Sequence, residues 1–160
     1  MKGKLIAIAA LAAATAFAPV PTLAAGDGSA PPPMGAKADP DFEAGRAAIR
    51  NQNWSEAIGY FNKVAARDPQ NADAQNWLGY ANRKSGNLDP AFKHYNEALR
   101  LDPKHRGAHE YIGEAYLMKG DVAKAKEHLA RLDRLCFFGC EEYTDLKKAI
   151  AEHEQQRSSR

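Results

Sequence analysis

Along this chain, apolar and small residues recur at helical spacing and are broken by short polar turns. From Pro40 onward the pattern predicts six helices, over residues 40–51, 54–67, 72–85, 89–101, 106–119 and 121–135. They come in pairs. "NQNW", "SGNL" and "KGDV" separate the two members of each pair, and Gly86 and Gly120 there can adopt a left-handed conformation. Asp68-Pro69 and Asp102-Pro103 end the second member, because proline disfavours helical geometry in the residue before it. A seventh segment, "EEYTDLKKAIAEHEQQ", places Tyr143, Leu146, Ala149 and Ile150 on one stripe with charges elsewhere. Glu141 and Glu142 at its start suit the helix dipole.

The pairs repeat every 34 residues. One step of that length carries Asp68 to Asp102, and two steps align Gly45, Gly79 and Gly113. The same step aligns Ala57, Ala91 and Ala125; Phe61, Tyr95 and Leu129; Ala44, Leu78 and Ile112; and Trp54, Leu88 and Val122. Glycine in the first helix and alanine in the second let two helices approach closely. The aromatic or leucine four residues after the alanine shares its face and fills the space beside it.

These columns resemble the tetratricopeptide repeat family over about Ala38 to Leu135, most clearly in "WLGYANRKSGNLDPAFKHYNEALRLDP" and its two offset copies. The resemblance implies an all-α solenoid of three helix pairs (about 38–71, 72–105 and 106–137), closed by a capping helix at about 141–156. A repeat cannot bury its own apolar face, so the last one requires that cap. Two positions depart from the family pattern: Ala44 stands where leucine is usual, and Phe137 where the closing proline would fall.

The family also implies a concave face lined by the first helix of each pair. Its partner-contacting positions fall on Phe42, Arg46, Ile49 and Arg50, then Asn76, Tyr80, Arg83 and Lys84, then Glu110, Glu114, Leu117 and Met118. Arg46, Arg50, Arg83 and Lys84 with Phe42 and Tyr80 among them would suit an extended peptide carrying acidic and apolar groups. The competing reading is a set of solvated helix-face charges. Cytosolic relatives use a lysine-and-asparagine clamp for chaperone tails, which Phe42 and Arg46 do not reproduce.

The N-terminal composition adds a location. Lys2 and Lys4, the apolar run Leu5 to Ala18 and the small residues of "PTLAA" have the layout of a secretory signal peptide over residues 1–25, with cleavage expected after Ala24 or Ala25. The run is shorter than the ~20 residues that span a bilayer, which disfavours an uncleaved anchor. No cysteine follows it, so a lipid anchor is not expected. "GDGSAPPPMGAKAD", residues 26–39, reads as a Pro/Gly-rich flexible linker, which leaves 40–156 as the folded domain. Of 22 basic and 20 acidic side chains, Lys2 and Lys4 leave with the signal, so 22 − 2 = 20 balances the 20 acids. A neutral mature chain has no global attraction to nucleic acid or to an acidic membrane. A periplasmic or secreted protein without stable membrane insertion is expected.

In that oxidising setting the two cysteines, Cys136 and Cys140, suggest a disulfide beside the cap, with Phe137 or Phe138 packed beneath it. Their spacing is also similar to that of paired cysteines in some periplasmic copper-delivery proteins, and soft thiolates select Cu(I). Reversible thiol exchange is a third reading, though the spacing is not that of thioredoxin-like motifs. His105 and His109 could share a helix face, but Lys104 and Arg106 beside them oppose a metal, so surface histidines are expected. His94, His128 and His153 show no matching partners in the sequence. "HEYIG" lacks the second histidine of a zinc-protease motif, and there is neither a glycine-rich phosphate loop nor a nucleophile elbow. The sequence therefore points to a noncatalytic module without metal or cofactor that binds a protein or peptide as adaptor or assembly factor of the cell envelope. Metal or redox handling through Cys136 and Cys140 is the alternative.

Overall fold

The computed structural model describes residues 39–159; the expected signal peptide and almost all of the linker lie outside them. Among the described residues seven helices follow one another: α1 (Pro40–Arg50), α2 (Trp54–Arg67), α3 (Ala72–Lys84), α4 (Leu88–Leu101), α5 (Arg106–Met118), α6 (Val122–Leu135) and α7 (Glu141–Ser158). Their bounds fall close to the spans that the polar turns mark in the sequence. Among the described residues no helix is long and apolar enough to cross a membrane.

Local chemistry sets the helix starts. The Asp39 carboxylate accepts from the backbone N–H groups of Asp41 and Phe42, and Pro40 occupies the first turn, where its missing N–H costs nothing. Asn71, His105 and Asp121 cap α3, α5 and α6 in the same way, each accepting from a backbone N–H three residues on. Arg67 at the end of α2 reaches Asp39 at 2.8 Å and Asp41 at 2.7 Å, tying the first pair together at its open end. Asp68 and Asp102 leave helical geometry ahead of their prolines, as expected. Cys136 ends α6 in the register those two aspartates occupy.

Within each pair one residue turns back in the left-handed region. Gly86 and Gly120 do so at φ +83° and +78°, while the first pair uses Gln52, one period earlier, at φ 58°. Only the first pair adopts this conformation against a side-chain penalty.

Packing follows the small-residue columns, with one exception. A Cβ on Gly45 would come within 2.7 Å of the Phe61 ring, and one on Gly79 within 2.5 Å of the Tyr95 ring. By the repeat, Gly113 should receive Leu129. It receives Leu146 of α7 instead, at 2.6 Å, and Leu129 is only half-buried. The cap thus occupies the place of a further helix: Leu146 and Ile150 are buried with Leu117, Ala125 and Leu132, and Tyr143 and Ala149 pack at the margin.

Candidate partner-binding groove

The candidate contact residues lie on α1, α3 and α5, the first helices of the three pairs. Neighbouring pairs are bridged by an aromatic run. Phe61 stacks on Trp77 at 6.1 Å, Trp77 meets Tyr80 at 5.6 Å and Tyr111 at 6.4 Å, and Tyr80 meets Tyr111 at 4.9 Å. Trp77, Tyr80 and Tyr111 remain half-buried, leaving aromatic surface exposed across two repeats. Trp77 and Tyr111 are absent from the expected contact set, although they occupy one column of the 34-residue repeat, a signal the sequence did carry.

The twelve expected residues divide by role. Phe42 is half-buried edge-on against Phe61 (5.4 Å), and Ile49 packs against the same cluster. Arg46 is exposed beside Glu43 at 3.7 Å, and Arg50 is exposed with no ion-pair partner among the described residues. Lys84 is exposed and lies over the Trp54 and Tyr80 rings, 5.9 and 6.0 Å from their centroids. These cations are free to meet a ligand, whereas Arg83 is not. Its guanidinium is buried, pairs with Glu114 at 2.6 Å and donates to the Tyr95 hydroxyl at 3.3 Å. It also lies over the Tyr80 and Tyr111 rings. Leu117 belongs mainly to the core beneath α7, while Met118 is exposed.

Asn76 and Glu110, one period apart, are both buried. They line a recess of about 330 Å³ between α3, the start of α5 and the start of α7. Trp77 and Tyr111 form its aromatic side, and Asp73, Glu141, Glu142 and Asp145 add carboxylates. Burial, then the charges of Glu114, Asp145 and Glu142, push the Glu110 carboxyl up to about 8, with Arg83 acting in the opposite direction. Asp73 pairs with His105 at 3.1 Å, which holds its carboxyl below the usual range, and Glu142 meets Arg106 at 3.6 Å. The α7 carboxylates are invisible to repeat analysis because the cap lies outside the repeated pattern.

The Sγ atoms of Cys136 and Cys140 lie 2.07 Å apart, a disulfide distance, as expected. The expectation that a phenylalanine packs beneath the cap fails. Phe137 and Phe138 are 85% and 96% exposed, on a turn that Gly139 closes at φ +85°. Glu142 places an oxygen within 4.8 Å of both sulfurs.

The histidines depart from the surface reading. His109 is buried; its Nε2 lies 3.1 Å from the Pro103 carbonyl and its Nδ1 2.9 Å from Nδ1 of His128. The carbonyl can only accept, so His109 carries its proton on Nε2 and His128 donates through Nδ1. That arrangement serves two neutral rings, the form that burial favours. Burial lowers His109, and burial with the neighbouring His109 takes His128 down to about 4. His94 likewise has a partner, Gln75 at 2.8 Å.

Two family models described as tetratricopeptide repeat match the chain, over residues 42–106 and 82–150. No curated protein matches it. Among solved structures it is similar to the TPR2B domain in the pHsp70 complex of yeast Sti1, with TM-score 0.66, 19% identity, and 72% of this chain and 94% of that one covered. It is also similar to the Yersinia enterocolitica type III secretion translocator chaperone SycD, with TM-score 0.64, 17% identity and coverage of 74% and 83%. A third is the first TPR of Spaghetti (RPAP3) bound to the HSP90 peptide SRMEEVD, with TM-score 0.62, 22% identity and coverage of 70% and 88%. At these identities the likeness is one of fold.

Proposed function

We propose, starting from the fact that this chain belongs to the tetratricopeptide repeat family, that it is a noncatalytic interaction module holding an extended segment of a protein partner along α1, α3 and α5. The observation that carries this reading is the half-buried aromatic run of Trp77, Tyr80 and Tyr111, flanked by the exposed cations Arg46, Arg50 and Lys84. Aromatic surface supplies contact area at little entropic cost, and guanidinium groups supply charge-assisted bonds to carboxylates. The peptide and chaperone complexes named for two of the similar structures are consistent with such use. Arg83 belongs to the protein's own framework and has no part in this contact set. The N-terminal segment supports an adaptor or assembly role in the cell envelope, with the Cys136–Cys140 disulfide as a staple at the junction of α6 and α7.

Crosslinking in intact envelopes tests the proposal. The wild type, Arg46→Glu/Lys84→Glu and Cys136→Ser/Cys140→Ser would be compared. Loss of a specific crosslinked partner in the first variant alone is the expected result. Loss in the cysteine variant alone, with helicity intact, would shift the function to the cysteines.

A further inference from the structure

We propose that the recess where α3, α5 and α7 converge is a subsite for one basic side chain, lysine or arginine, of the segment bound along the groove. This rests on the peptide-binding reading above and adds the chemistry of one contacted residue.

The recess gathers more carboxylates than cations. Glu110, Glu141 and Asp145 have no ion-pair partner among the described residues. Asn76, which lines the recess and is 4% exposed, has a buried Oδ1 with no hydrogen-bond partner. That oxygen is closed off even from the recess, whereas Glu110, 8% exposed, lines it with a carboxylate unpaired among the described residues, and an ammonium or guanidinium N–H would supply the missing partner. Arg106 reaches only Glu142, from an exposed position at the margin.

Size and spacing favour an organic cation over a metal ion. Calcium gathers six to eight oxygens at ~2.3–2.6 Å. Among the described residues no three of the recess's carboxylates bring oxygens within 4.8 Å of one another. The space, about 330 Å³, accommodates a side chain with a hydrocarbon stem. Trp77 and Tyr111 line the recess and offer aromatic surface for that stem. The protein already uses this arrangement internally, where Arg83 lies over Tyr80 and Tyr111 with its guanidinium on Glu114.

Glu110 gives the subsite a pH signature. It faces Glu114 on its own helix, Glu142 and Asp145 on α7, and Arg83 on α3, and its carboxyl sits near pH 8. A cation entering the recess favours the ionised form, so binding releases a proton from Glu110. Affinity therefore rises with pH through about 8.

The test is selection from a displayed library of random dodecapeptides on the wild type, Glu110→Gln/Asp145→Asn and Arg46→Glu/Lys84→Glu. Asp145→Asn alone, at an exposed position, serves as the variant that leaves the fold untouched. The strongest wild-type peptide is then synthesised with blocked termini and titrated by calorimetry near pH 6.5 and pH 8.5. Expected results are a lysine or arginine at one fixed position, tighter binding at the higher pH, and about tenfold or greater loss in Glu110→Gln/Asp145→Asn. Selected peptides without a basic residue, or equal affinity in that variant, overturn the subsite and leave the groove standing. Saturable binding of calcium alone that the variant loses also overturns it, in favour of a metal site. If the wild type enriches no peptide, the groove reading falls and the subsite with it.

Discussion

Gln52 and Gly79 carry opposite stresses. Gln52 holds φ 58° where the other two pairs have glycine. Gln52→Gly should stabilise the protein by ~0.5–1 kcal/mol in urea unfolding, the penalty for a side chain in that region less the added freedom of the unfolded chain. At Gly79 the Tyr95 ring would stand 2.5 Å from a new Cβ, and Tyr95 is fully buried. Gly79→Ala should therefore cost ~1–3 kcal/mol, since neither helix can retreat without opening the core. Two titrations pull stability in opposite directions. His128 has its folded pKa depressed from 6.5 to about 4, so the unfolded chain binds more protons between those values and stability falls as pH drops through that window. Glu110 has its folded pKa raised from 4.5 to about 8, so its contribution is full below pH 4.5 and is lost as pH rises through 8. Melting temperature against pH should flatten on the acid side in His128→Phe and on the alkaline side in Glu110→Gln.

At the scale of the element, α7 does what the repeats cannot do for themselves. Leu146 fills the space above Gly113 that the repeat assigns to Leu129, and Ile150 closes the cluster around Leu117 and Leu132. Leu146→Ala should cost ~2–5 kcal/mol, read by chemical denaturation, because a rigid glycine-lined cleft cannot collapse onto the smaller side chain. The disulfide acts on the same junction from outside the core. Closing so short a loop constrains the unfolded chain by roughly 2 kcal/mol, so Cys136→Ser/Cys140→Ser should lose up to that amount. The exposed Phe137 and Phe138 should contribute almost nothing to stability. Replacing both with serine should shift unfolding by less than ~0.5 kcal/mol.

Across the described domain, the stacked pairs form a polarised surface. Exposed cations, Arg46, Arg50 and Lys84, occupy the first two repeats; carboxylates gather where the third meets the cap. An extended chain bound along the first helices would have its direction set by this difference, with acidic groups toward α1 and a basic group toward α7. A stacked array also transmits damage mainly to its neighbours. Truncation after Cys140 should accelerate amide exchange in α5 and α6 while leaving α1 and α2 close to their original protection.

The sequence by itself determined the helices, their pairing, the period and the need for a cap, because each depends on local chemistry or on a pattern repeated three times. The 34-residue step put Gly45 with Gly79 and Phe61 with Tyr95 in matching columns, and the packing of the helices then set each ring against its glycine. Only the tertiary structure decided which charges remain available. Arg83 and Lys84 are adjacent in sequence, yet one is sealed against Glu114 and Tyr95 while the other faces solvent, a difference of helix rotation against neighbours. The same holds for His109 with His128, and for the acidic recess itself. Its carboxylates come from separate helices, brought together only when α7 packs against α5.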